Sequence, residues 1–221
     1  MKAVNIIVVF LFFAPFTMVA GLDVRIFTEK EDNQINFFVD NDEWCSVSIA
    51  FDFELKNMKS SHGSKFTLVI PARSRKFPGN ILTTHKINEL FGYKYKTNIV
   101  RGDVISPKNT DYTYELPYPI GKKYTVMQGY NGQFSHKGSN ALDFSLAEGD
   151  EICAARSGVI VEVVQHNNRR CMSPGCDKYN NYVLVCQEDG TFAEYAHIKK
   201  DGSLVAPGDT IVSGQIIALS G

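Results

Sequence analysis

Short runs of alternating apolar and polar residues recur along this chain, and helix-period apolar patterns are scarce after residue 21. "INFFVD", "SVSIAFDF", "KFTLVI" and "YKYKTNIV" each place a large or β-branched side chain at every second position. A period of two fits a strand with one buried face and does not fit the 3.6-residue repeat of a helix. "DND", "KNMKSSHGS", "PARSRKFPGN" and "RGD" bound these runs and read as turns. Residues 22 to about 112 are therefore expected to form a small antiparallel β-sandwich, immunoglobulin-like in strand count. The disulfide-and-tryptophan signature of that fold is missing, because Trp44 and Cys45 are adjacent.

Around "KNTDYTYELPYPIGKKY" the texture changes. Pro117 and Pro119 predict an extended linker over residues 113–123, leading into a second domain at 124–221. There glycine becomes the main punctuation, between the short strand-like runs "VIVEVV", "NYVLVC" and "TFAEYAHI". "EDGT" between the last two is a hairpin signal. "EGDEICAARSGVI" and "PGDTIVSGQII" echo one another: a Gly-Asp turn, a β-branched residue, then glycine and another β-branched pair. Two such arms predict an antiparallel, glycine-cornered hammerhead of hairpins, so the whole chain is expected to be all-β. Biotin and lipoyl carriers use this geometry, as do some hydrolases, so the echo names no function. Lys199 and Lys200 lack the hairpin-tip setting that a carrier lysine needs.

Charge narrows the choice. With 23 basic against 24 acidic residues in 221, the chain lacks the basic surface that displaces counterions from nucleic acid. Its first twenty residues, Lys2 followed by "AVNIIVVFLFFAPFTMVA", read as a secretory signal peptide cleaved after Ala20. Met18 is larger than the residue usual at that position, which leaves an uncleaved anchor as the alternative; the run is short for a membrane span. No membrane span is expected after cleavage, and a periplasmic or secreted location follows. Export implies an oxidising compartment, where disulfides persist. Of five cysteines, Cys171 and Cys176 flank a Ser-Pro-Gly turn in "CMSPGC", and a local disulfide is the simplest pairing. A zinc knuckle would need a second cysteine pair nearby. Cys153 and Cys186, in apolar runs, read as buried thiols or a second bridge.

The candidate chemistry lies in "FSHKGSNALDFSL" and "TFAEYAHI". Asp143 sits inside an apolar run, where a carboxylate is costly to bury unless it meets a cation or donors. His136 precedes that run. On an alternating strand, Tyr195 and His197 would share one face with Thr191 and Ala193. His166, ahead of a polar insertion, and His62 and His85, in turn-like contexts, read as solvated surface histidines.

"GYNGQFSHKGSNALDFSLAEGDEICAARSGVIVEV", "NNYVLVCQEDGTFAEYAHI" and "VAPGDTIVSGQIIALSG" resemble successive blocks of the lysostaphin-type zinc endopeptidases, which cut peptidoglycan peptides. The resemblance covers about residues 117 to 221. It implies zinc as cofactor, His136 and Asp143 as metal ligands, and His197 as a catalytic histidine that hydrogen-bonds the attacking water or the oxyanion. Tyr195 and Asn131 are candidate substrate contacts. The family often spaces its first pair H-x3-D, whereas "KGSNAL" puts six residues between them here. After the "GQxIALSG" block the family continues to an H-x-H motif that supplies a third ligand and a second catalytic histidine. This chain stops at Gly221 and is expected to be a fragment lacking that segment. The substrate implied is a stem or cross-link peptide. The amino-terminal sandwich would dock on the wall, on an envelope protein partner, or over the cleft. The alternative is a metal-free relative that binds peptidoglycan or activates an amidase.

Overall fold

The computed structural model describes residues 21–86, 89–109, 111–169 and 179–221. The expected signal peptide and the Cys171–Cys176 pair lie outside the described residues. Every regular element among them is a strand, every pairing with a recorded register is antiparallel, and no described helix is long and apolar enough to cross a membrane. The fold is all-β.

The described residues divide into two compact units, one within 21–43 and 49–99, the other within 44–48 and 100–221. In the first, strands β1 (Val24–Glu31), β2 (Gln34–Asn41), β4 (Met58–Ser60) and β6 (Ser74–Thr84) form a sheet ordered β1-β2-β6-β4. Strands β3 (Val47–Lys56), β5 (Lys65–Ile70) and β7 (Gly92–Arg101) form a second, ordered β5-β3-β7. Phe37 on β2 meets Phe53 on β3 and Tyr95 on β7 edge-on, with ring centroids 5.3 and 5.4 Å apart, so the two inner faces share one aromatic core. Four strands face three, the count of a constant-type immunoglobulin sandwich, in a different order. "PARSRKFPGN" is no turn: most of it is the bulged first part of β6. Lys76 takes φ 47°, the β2–β6 register shifts twice, and Pro78, which cannot donate to a ladder, sits beside one shift opposite Phe38.

The second unit holds strands β8 (Val126–Gln128), β9 (Asp143–Phe144), β10 (Glu151–Cys153), β11 (Gly158–Val164), β12 (Tyr182–Cys186), β13 (Phe192–Ala196), β14 (Ile198–Ser203), β15 (Thr210–Ile211) and β16 (Ile216–Ser220). They make sheets ordered β13-β12-β11-β15 and β10-β16-β14, and a ribbon of β8 with β9. Ile152, Ile160, Val183, Val185, Tyr195, Ile198, Ile211, Ile217 and Ala218 pack into one core, to which every strand except the ribbon contributes. Residues 113–123 form no strand; Glu115 N donates to Ala155 O and Cys153 N to Pro117 O, which holds the run against β10.

The two echoing arms fold alike. Gly149 and Gly208 take φ 89° and 97°, a region closed to most side chains, and each opens its turn onto the other arm. Gly149 N donates to Ser220 O while Gly208 N donates to Ile160 O, both at 2.8 Å. Ser220 N and Ile160 N donate back to Asp150 O and Asp209 O, both at 2.9 Å. Arm and counter-arm therefore exchange equivalent hydrogen bonds, β10 pairing β16 and β11 pairing β15.

Candidate metal centre

The β8–β9 ribbon positions the site. Gln128 lies directly opposite Asp143 in the pairing, and His136 reaches the same place from the loop that joins the two strands. That loop is built from nested turns. Gly132 N donates to Gly129 O and His136 N to Gly132 O, both at 3.1 Å, and Ser139 N closes a turn on His136 O at 2.8 Å. Gly138 supplies the left-handed third position of that last turn, φ 77°, as a type II turn requires. Asn131 N then donates to Ser139 O at 3.0 Å, bringing the chain back. The three residues beyond the usual H-x3-D spacing are thus absorbed by a turn, and the two side chains still meet.

They meet through His136 Nε2 and Asp143 Oδ1, 3.2 Å apart, with the His136 side chain 10% and the Asp143 side chain 45% exposed. The far ring nitrogen, Nδ1, lies 3.2 Å from the Gly129 carbonyl oxygen. A carbonyl only accepts, so Nδ1 carries the proton and Nε2 of the neutral ring presents a lone pair to the carboxylate. Two lone pairs at this separation need a positive charge between them, a proton or a metal cation. Nitrogen and oxygen ligands about 2.0–2.2 Å from a tetrahedral zinc ion are themselves about 3.3 Å apart. The pair, with its ring oriented by a backbone carbonyl as zinc-bound histidines are, fits that ion as two of its ligands. Among the described residues, no three or more His, Cys, Asp or Glu side chains gather to hold a metal.

Gln128 is the residue that the sequence did not single out. Its Nε2 donates to Asp143 Oδ2 at 3.3 Å and to Ser135 Oγ at 2.8 Å, while its Oε1 accepts from the amides of Phe134 and Ser135. It ties the carboxylate to the loop that carries His136. The only signal in the sequence is its place at the end of a strand that a two-residue partner must find.

The strand reading of "TFAEYAHI" is corrected. β13 ends at Ala196, and His197 lies in the bend before β14, exposed, with φ 59°. Tyr195 and His197 do not share an open face. Tyr195 is 9% exposed within the core, and its hydroxyl accepts from Ala155 N at 2.7 Å, so it packs where a substrate contact was considered. No hydrogen bond or ion pair among the described residues joins His197 to His136 or Asp143. Asn131 is an exposed left-handed turn residue, φ 55°. Cys153 and Cys186 are both free thiols, and neither bridges the other.

Residues 137–221 match the family model of Peptidase family M23, a stretch that begins one residue after His136 and includes Asp143 and His197. That stretch is similar to Peptidase family M23. M23 peptidases are typically zinc-dependent and directed at peptidoglycan. A crystal structure from Pseudomonas aeruginosa named for peptidase M23 aligns with 78% of this chain and 74% of that one, at 13% identity and a TM-score of 0.33. At that level of likeness the M23 assignment rests on the sequence match. No curated protein matches the chain.

Proposed function

We propose that this protein is an exported zinc endopeptidase that hydrolyses stem or cross-link peptides of peptidoglycan, in the periplasm or outside the cell. The observation that carries the reading is the facing of His136 Nε2 and Asp143 Oδ1 at 3.2 Å, at the head of the M23 stretch. These two side chains would hold the metal. Zinc, when bound, polarises a scissile carbonyl and lowers the pKa of coordinated water toward about 7.

The chain's own residues do the rest. The Gly129 carbonyl keeps the His136 proton on Nδ1 and so leaves Nε2 available as a donor atom. Gln128 restrains Asp143 from the opposite strand, which keeps the carboxylate aimed at His136. His197, exposed on its bend, would hydrogen-bond a water or the oxygen of a bound peptide. The apolar leader, the match to M23 and an all-β scaffold support export and a wall substrate.

The test is metal content and hydrolysis in the full-length protein. It should bind about one zinc per chain and release soluble peptides from purified sacculi. His136→Ala and Asp143→Ala should each remove both properties. Zinc uptake that survives Asp143→Ala would overturn the ligand assignment. Tight binding to sacculi with neither zinc uptake nor hydrolysis would replace the reading with that of a non-catalytic relative.

A further inference from the structure

The ribbon of β8 and β9 carries Gln128 and Asp143, yet it gives no residue to the core of the second unit. A two-stranded ribbon is marginally stable alone, so something outside it must hold it in place. At the end away from the His136 loop, Ser145 N donates to Thr125 O at 2.9 Å and Thr125 N to Ser145 Oγ at 3.2 Å. Those bonds join the two strands only to each other. Asp143 and Phe144 are consecutive on β9, so their side chains leave on opposite faces. Asp143 meets His136, while the half-buried Phe144 ring meets Tyr118 edge-on, with centroids 5.6 Å apart and planes at 76°. Tyr118 also meets Tyr124, just ahead of β8, edge-on at 4.9 Å and 71°. One ring therefore grips the base of both strands.

Tyr118 is itself fixed. It stands between Pro117 and Pro119, and the ring of Pro119 confines it to extended backbone. The Pro117 carbonyl accepts from Cys153 N at 3.1 Å, and Glu115 N donates to Ala155 O at 2.9 Å, which laces the run to the end of β10 beside the core residue Ile152. Upstream, Tyr114 Oη donates to Oε1 of the buried Gln187 at 2.6 Å. Contacts thus run from the core through Pro117 and Tyr118 to Phe144, the neighbour of Asp143. We propose that Tyr118 is a positioning residue of the metal centre: its aromatic clasp fixes the ribbon and, through Phe144, keeps Asp143 against His136. The role rests on the reading of His136 and Asp143 as metal ligands. Tyr118 acts through the strand, by ring contacts with Phe144 and Tyr124, and is not a catalytic residue.

The test uses the full-length protein, with hydrogen exchange measured first without metal. Tyr118→Ala should speed exchange of the amides over residues 124–146 and leave those of Val183 and Val185, in the core, at wild-type rates. Chelator competition should then show zinc bound about 10-fold more weakly. Tyr118→Phe keeps the ring and should match the wild type in both measurements. Phe144→Ala should weaken zinc binding by the same factor as Tyr118→Ala, and the double variant no further, because each removes the one contact. Ile211→Val, in the core of the second unit, should lower the melting temperature and leave zinc affinity unchanged. Unchanged ribbon exchange in Tyr118→Ala would overturn the clasp, and faster exchange with wild-type zinc affinity would overturn the positioning role. A wild type that takes up no zinc would instead remove the metal reading, with the clasp still decided by exchange.

Discussion

A histidine is useful to a metal only when its other nitrogen is occupied, and in His136 the Gly129 carbonyl does this. The pairing of His136 with Asp143 was legible through the resemblance to lysostaphin-type blocks; burial did not demand it, since the Asp143 side chain is 45% exposed. Gln128 was not legible, since nothing about a lone glutamine marks it until β8 and β9 are paired and it stands opposite Asp143. It gives the sharpest test at this scale. Gln128→Ala removes the side chain that joins Asp143 to the His136 loop, and chelator competition should show zinc affinity about 10- to 100-fold weaker. The far-ultraviolet spectrum should be unchanged. Equal affinity would mean that the ribbon alone fixes the carboxylate. Tyr195 shows the limit of a period-two reading: that period placed it on one face with His197, yet its ring fills the core and its hydroxyl accepts from Ala155 N. Tyr195→Phe should destabilise the protein by about 1 kcal/mol in urea denaturation, because the amide loses its acceptor while packing is retained.

At the level of elements, the repeated Gly-Asp arms were readable because each part of the repeat has one physical job. The glycine takes a left-handed φ, and the aspartate side chain closes the turn: Asp150 Oδ2 accepts from Ala147 N and Asp209 Oδ2 from Ala206 N, both at 2.8 Å. β6 was misread because Pro78 and Gly79 signal a break in any local pattern, whereas two bulges against β2 accommodate them inside a sheet. A tight backbone constraint in the second unit is Gly158, which opens β11. A Cβ there would lie 2.4 Å from Cys186 O and 2.7 Å from Val185 Cγ1, and a ladder carbonyl cannot swing aside as a flexible side chain can. Gly158→Ala should therefore cost about 2 kcal/mol or more, by a lowered urea midpoint. An unchanged midpoint would show that β11 and β12 can separate at that end without penalty.

Across the whole chain, each unit contains a carboxyl group held more acidic than an ordinary aspartate. Burial alone would raise Asp40, but the Lys76 amide and the Arg25 and Arg75 guanidinium groups outweigh it. Asp189 follows the same rule: burial opposes its charge, yet the hydroxyl and amide of Thr191, Arg156 and the Asn109 amide hold it well below the usual range. Asp103 is lowered to about 2 by the Ser106 hydroxyl and by the amides of Ser106 and Ile105. All three bind protons less readily in the folded state than in the unfolded one. Their contribution to stability is therefore complete above the unfolded value of about 3.8 and disappears as pH falls through the folded values. The melting temperature should hold above pH 5 and drop between about pH 4 and 2. Asp189 should dominate that drop in the second unit, because Arg156 Nη1 stands 3.0 Å away with side-chain exposures of only 7% and 12%. Asp189→Asn strands the buried guanidinium beside Tyr112 and Gln187, so it should cost about 3 kcal/mol at neutral pH. The same variant should flatten the acid limb, since it has one fewer carboxylate to protonate. A variant that is destabilised at pH 7 yet keeps the full acid drop would assign that drop to Asp40 and Asp103 instead.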